Sequence, residues 1–505
     1  MKDVAVEEFS ILDPGSKEAD PLEVAPFYQD LNLFKLLDRI AKRWGRDVRK
    51  YYLSLPASSE VTDYRRAVYG DIRKEAVCRA LLQYTEDLEE VAKLRREKER
   101  VLSSLQKAVW QIREVGAYCR TYEKLEKELE QAELSSEGML AFLRILKEIL
   151  DSGGYRELVE RTNRLLAQIK ELRFVITYEK DRMIVEVGEL EGEGAYEEML
   201  RRESGKEIRH LKNPFLADPS LSGIEEACLE ILVKKKPEFF SELTRTAQLN
   251  EGYEKAVLKR FEKEVIFYLS FCTLQRELEK EGYAFATPGK PEGKRMKAKG
   301  LYDLALALSF LSSDRKVVSN DFTMEEGERF FVLTGPNQGG KTTFARSLGQ
   351  LVYFARMGLD VPAESASVPY FPDIQTHFSV EESIETGRGK LKEELVRLAP
   401  MMEDERRGTF VIINELFTTA ASYDAEIMGK KVLRHFIGLD CMGIYVTHLK
   451  ELTSAGDGIV SLRAMLDDRK VQTFRIMRGE ADDTACAENL VNKYRLNYEQ
   501  LKERL

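Results

Sequence analysis

Phe331-Val332-Leu333-Thr334-Gly335-Pro336-Asn337-Gln338-Gly339-Gly340-Lys341-Thr342-Thr343 is the stretch on which the reading of the chain turns. The apolar run Phe330 to Leu333 reads as a buried strand, and Phe344, Leu348, Leu351 and Val352 mark the apolar side of a following helix. Between them lies Gly335-x-x-x-x-Gly340-Lys341-Thr342, the P-loop pattern in its strand-to-helix context. Glycines let successive backbone N–H groups turn inward around phosphate oxygens, and the helix adds the positive end of its dipole. Residues Gly335, Pro336, Asn337, Gln338, Gly339, Gly340, Lys341, Thr342 and Thr343 are therefore expected to hold ATP. Lys341 would reach the β- and γ-phosphates, and the Thr342 hydroxyl would sit on Mg²⁺. A chance glycine-rich turn is the bland alternative, and the flanking strand and helix argue against it.

With 505 residues the chain is long enough for about two to four domains. A hydrophobic fraction of 43% fits a soluble globular protein. A net charge of −9 argues against a protein that coats nucleic acid generally, while leaving room for a local basic surface. The acidic start, Met1 to Glu8, does not read as a secretory signal. No apolar run reaches the ~18 residues of a membrane span, so no membrane partner is expected. Six scattered cysteines without a C-x-x-C pair point to reduced thiols and a cytoplasmic location.

Residues 1–25, with Pro14, Gly15 and Pro21, read as an irregular lead-in. Residues 26–285 read as a helical core and lever. Within them, Leu81, Tyr84, Leu88, Val91, Arg95, Lys98, Leu102, Leu105, Val109 and Ile112 form a heptad-like seam. The seam predicts one continuous helix over 81–112, about 48 Å long, either a lever packed on a block from Ser136 to Leu172 or a member of an ordinary long helical bundle. Arg95 and Lys98 interrupt it, either as a phosphate-facing section or as a plain polar break. Period-two alternation over Phe174–Tyr178 and Met183–Val187 predicts a β-hairpin, and another long helix is expected from Ser241 to Lys280. Pro288, Gly289, Pro291 and Gly293 form a breaker cluster beside Lys290, Lys294, Arg295, Lys297 and Lys299. Residues 286–300 are accordingly expected to be a basic linker, with the second domain over 301–505. There, apolar strands Phe330–Leu333, Phe410–Ile413 and Met442–Val446 alternate with helices. The expected architecture is an α-helical core/lever region with a small β-hairpin, followed by an α/β P-loop domain.

Thr409-Phe-Val-Ile-Ile-Asn414-Glu415 has the form of a Walker B strand. Glu415 is placed as general base toward an attacking water. Asn414 stands where an Asp usually serves the Mg²⁺ shell. Its amide oxygen accepts hydrogen bonds but carries no charge, so weak metal binding or slow turnover follows. His448, after Tyr445-Val-Thr447, ends the next strand and is placed to sense the γ-phosphate.

The sequence here resembles the DNA mismatch repair MutS family of ABC-type ATPases. Gly335 to Thr343 is similar to that family's G-P-N-M-G-G-K-S-T. Asn320-Asp321, Asn414-Glu415-Leu416, Ser422-Tyr423-Asp424 and Thr447-His448 fall in the family's order. Asp30–Leu33, Tyr64–Tyr69 and Phe267-Tyr268 look like parts of its helical core and lever. The resemblance implies a homodimer in which each site is completed by the partner's signature loop, here Gly387, Arg388, Gly389 and Lys390, with Gly389-Lys390 in place of Ser-Thr. It implies DNA as a partner, with the hairpin as a clamp. It also implies a truncated member, since Phe240-Ser-Glu242 matches the mismatch-reading wedge only by chance and no nuclease tail is evident. The expected function is a dimeric, slowly hydrolysing DNA-binding ATPase. The alternative is a nucleotide-gated interaction scaffold with little hydrolysis.

Overall fold

The computed structural model describes residues 9–15, 24–171, 174–179, 182–187, 230–378, 390–467, 469 and 471–480. The chain divides into two compact units, one of Met1–Phe9 with Asp71–Val265, the other of Ser10–Gly70 with Ile266–Leu505.

The first unit is helical. Its seam residues do not lie on one helix over 81–112. Helix Glu75–Arg100 ends, and helix Ser104–Glu130 folds back antiparallel on it. The break has a local cause. Val101 and Ser103 are extended, and the Ser103 hydroxyl accepts from the Gln106 amide as an N-cap. Leu102, the seam residue at the tip, is 96% exposed. Arg95 and Lys98 do not face an open phosphate-binding surface. They converge at 2.8 and 2.6 Å on Glu114 of the returning helix, which is buried. A buried carboxylate needs such partners, because one left alone would carry its full desolvation cost.

The block after Ser136 is also two helices, Glu137–Asp151 and Gly153–Glu171, with Ser136 capping the first through the Met139 amide. The expected hairpin is present: β1 (Phe174–Glu179) pairs antiparallel with β2 (Arg182–Val187), Phe174 opposite Val187. The long helix expected over 241–280 is instead Pro237–Leu249 and Ala256–Lys280, parted by a turn in which Gly252 takes φ +70°.

The second unit holds two sheets. Strands β3 (Met296–Leu301), β4 (Asn320–Met324) and β6 (Ser365–Ser367) form a small antiparallel sheet in the order β4-β3-β6. The main sheet runs β11-β10-β5-β9-β8-β7, with β5 (Phe330–Thr334), β7 (Ile374–Phe378), β8 (Phe410–Asn414), β9 (Met442–Val446) and β10 (Ile459–Leu466) parallel. β11 (Gln472–Arg478) closes one edge antiparallel to β10. β5, β8 and β9 are buried along their whole length, as uninterrupted apolar runs require of parallel strands covered on both faces.

Two stretches pack differently from their composition. Residues 286–300, expected as a basic linker, contain most of β3, and four of the five basic side chains pair within the unit: Lys290 with Asp63, Lys294 with Asp440, Arg295 with Glu325 and Lys299 with Glu364. The lead-in is ordered at Phe9–Leu12, where Tyr64, Arg65 and Tyr268 donate to the carbonyls of Ser10, Leu12 and Ile11. Residues 27–70 belong to the same unit as the nucleotide-site candidates. Helix Lys341–Met357 carries Gly349 against Leu31 and Ile412, where an added Cβ would lie 2.5–2.6 Å from their side chains. Gln350 and Arg346 on that helix donate to the carbonyls of Leu31 and Asp30.

Cys78, Cys119, Cys272 and Cys441 are buried, and burial pushes the Cys119 thiol up to about 11. Cys228 and Cys486 lie outside the described residues. No helix among the described residues is long and apolar enough to cross a membrane.

Candidate functional site

The carboxyl ends of β5, β8 and β9 bring the candidate residues together, because these strands are parallel neighbours in one register. The loop from Gly335 leaves β5 and enters helix Lys341–Met357 at Gly340. Gly335 has φ +131° and Gly340 φ +87°, backbone that L side chains rarely adopt. A Cβ on Gly335 would also lie 3.0 Å from the Ala464 side chain and 3.1 Å from its amide nitrogen. Gln338 takes φ +61° at the bend between them.

Lys341 is 4% exposed, and its ammonium lies over the loop, donating to the Gly335 carbonyl at 2.7 Å and the Pro336 carbonyl at 3.2 Å. The Thr342 hydroxyl donates to Asn414 Oδ1 at 3.1 Å, so the two expected metal-shell residues meet side chain to side chain. Both are oxygen donors, the kind Mg²⁺ takes alongside water and phosphate, but the pair brings no charge of its own. Glu415 follows in left-handed backbone, φ +55°, with its amide held by the Val446 carbonyl at 2.9 Å. Its Oε1 is 3.4 Å from His448 Nε2, so the expected base and sensor are adjacent. His448 remains 46% exposed at the side chain and Glu415 29%.

A cavity of about 600 Å³ adjoins the loop. Asn337, Gly340, Lys341, Thr342 and Glu415 line its loop-side wall, and Tyr302, Asp303, Val317, Val318 and Phe474 are among the residues of the opposite wall. Most of that second wall is not read from the sequence as site. Asn320 appears there only as part of a motif order, yet it fixes the wall. Its side chain donates to the Phe474 carbonyl and accepts from the Ile476 amide, holding β11 beside the loop. Phe474 itself takes φ +58° and packs over Gly340. Gln472 donates to the Asn337 carbonyl. Three positive-φ residues other than glycine in and beside the loop, Gln338, Glu415 and Phe474, are the structural mark that sequence periodicity does not carry.

The signature-loop residues Gly387, Arg388 and Gly389 lie outside the described residues, and Lys390 opens helix Lys390–Glu403. Tyr423 and Asp424 are exposed at the start of helix Ser422–Gly438.

A family model described as MutS domain V matches residues 331–484. Among similar proteins, DNA mismatch repair protein MutS of Fervidobacterium nodosum is 27% identical over 33% of this chain and 21% of its own length. DNA mismatch repair protein MSH2 of Saccharomyces cerevisiae is 27% identical over 31% of this chain and 16% of its own. DNA mismatch repair protein MutS of Thermotoga sp. strain RQ2 is 30% identical over 27% of this chain and 17% of its own. The chain thus spans about a fifth or less of the length of these relatives.

Proposed function

Because the chain is a member of the MutS family through its domain V, we propose that it binds ATP–Mg²⁺ at Gly335–Thr343 and hydrolyses it slowly with Glu415 as base. The convergence of Thr342, Asn414, Glu415 and His448 on one loop carries the reading. The loop amides and Lys341 would take the phosphates, Lys341 giving up its hold on the Gly335 carbonyl. Val317 and Phe474 would flank the base in the cavity beside it. Glu415, beside His448, would accept a proton from the attacking water, and His448 would orient the γ-phosphate. Mg²⁺, when bound, neutralises developing phosphate charge, and Thr342 and Asn414 would hold it.

By its family, the protein would act as a homodimer through the α/β unit, with Gly387, Arg388, Gly389 and Lys390 completing the partner's site. The helical unit would serve as core and lever, with the β1–β2 hairpin as a DNA clamp. Such binding should weaken steeply with salt, because phosphate contacts release counterions.

A second reading, a nucleotide-gated scaffold with little hydrolysis, is favoured by the neutral Asn414 at the metal position. Steady-state ATP hydrolysis separates the two. The first reading expects turnover that Glu415→Ala abolishes and Asn414→Asp raises. Background turnover in all three proteins, with ATP-dependent dimerisation retained, would replace it with the second.

A further inference from the structure

The loop after β8 contains two non-glycine residues in left-handed backbone, Glu415 (φ +55°) and Phe417 (φ +63°). Such backbone persists only where surrounding groups hold it. Two hydrogen bonds do so here. The Glu415 amide donates to Val446, its neighbour in the sheet. The Phe417 amide donates at 3.0 Å to Oε2 of Glu394, which lies on helix Lys390–Glu403.

Glu394 is 2% exposed, and its helix is keyed to the sheet around it. The Glu394 carbonyl is 3.2 Å from His377 Nε2 on β7. Arg397, almost one turn on, donates to the Phe378 carbonyl at 2.9 Å and to the Asp30 carboxylate at 3.2 Å. His377, Ile413 and Tyr445 stand in register across β7, β8 and β9. Burial, then the charge of Glu394, pushes the Tyr445 phenol up. A carboxylate buried against an apolar sheet is costly unless it holds a donor, and the Phe417 amide is such a donor.

We propose that Glu394 is a positioning residue: through the Phe417 amide it holds Glu415 beside His448 and ties that loop to helix Lys390–Glu403. The proposal rests on the hydrolytic reading of Glu415. It predicts that a shift of this helix re-aims the base without passing through the phosphate loop.

The test uses the full chain as wild type, Glu394→Ala, Glu394→Gln and Glu415→Ala. It measures kcat and KM for ATP–Mg²⁺, and hydrogen–deuterium exchange over residues 411–421 and 331–345. Glu394→Ala is expected to lower kcat about tenfold or more with KM changed less than about twofold, since a charge-assisted bond to the loop is lost. Exchange should accelerate over 411–421 and stay unchanged over 331–345. Glu394→Gln keeps an acceptor oxygen and should restore kcat to within about threefold of wild type. An unchanged kcat in Glu394→Ala, a Gln variant as impaired as Ala, or faster exchange spread equally over both segments would overturn the positioning role. Absence of Glu415-dependent turnover in the wild type would instead remove the hydrolytic reading. Exchange over 411–421 would still decide whether Glu394 holds the loop, and no change there would overturn that as well.

Discussion

His377 offers a pH test of how the sheet beneath the Glu415 loop is built. Its ring is 1% exposed on β7, with Nε2 against the Glu394 carbonyl. Burial, and then the nearby Arg397 guanidinium, pushes its pKa down from 6.5 to about 4. The unfolded chain therefore binds a proton near pH 6.5 that the folded chain refuses until near pH 4. Stability from the neutral ring is complete above pH 6.5 and is lost as pH falls through that window. The full shift corresponds to about 3 kcal/mol, of which roughly 2 kcal/mol is lost between about pH 7.5 and pH 5.0. Burial also pushes up the carboxyls of Asp30, Asp303 and Asp373 in the same unit, and these act with the opposite sign. The informative quantity is thus the difference between wild type and His377→Gln, whose amide can still reach the Glu394 carbonyl. Guanidinium unfolding followed by Trp44 fluorescence in a Trp110→Phe background reads the second unit, since Trp110 belongs to the first. The wild type should lose about 2 kcal/mol more than His377→Gln on acidification. Equal losses in the two proteins would refute a buried neutral imidazole.

Two further outcomes follow from named contacts. Glu114→Ala removes the carboxylate that Arg95 and Lys98 share; Arg95 keeps Glu254 and Lys98 keeps Gln111, and their side chains, 38% and 23% exposed, can partly rehydrate. A loss of about 1–3 kcal/mol in the first unit is expected from Trp110 fluorescence in a Trp44→Phe background, and a loss under ~0.5 kcal/mol would show that the pairs are not engaged. Gly335→Ala forces a Cβ toward the Ala464 backbone at a positive φ, so about 2–4 kcal/mol of strain should appear as weakened nucleotide binding or a lower melting temperature. Unchanged values in both measurements would show that the loop does not need this geometry.

Much of the α/β unit is legible because its strands are continuous apolar runs. β5, β8 and β9 lie within a residue of their expected bounds, and the residues at their carboxyl ends meet because parallel neighbours share a register. Helix breaks are less legible. Val101 and Leu102 continue an apolar seam, so the turn is set by one extended pair and a serine cap rather than by composition. Gly252 marks the other break more openly, in a turn that the apolar spacing on either side conceals. The basic stretch at 290–299 reads as solvated because Asp63, Glu325, Glu364 and Asp440 are distant in sequence. Asn320, Phe474 and Glu394 stay hidden for a related reason. Each acts through a backbone group of a remote element, which no local period reports.

The central claim is that Gly335–Thr343 takes the phosphates of a nucleotide, and calorimetric titration of the full chain with ATP–Mg²⁺ tests it most directly. The wild type should bind about one nucleotide per chain. Lys341→Ala should bind at least about tenfold more weakly, because it removes the buried ammonium now lying 2.7 Å from the Gly335 carbonyl. Equal affinity in the two proteins, or no saturable binding in the wild type, would contradict the account.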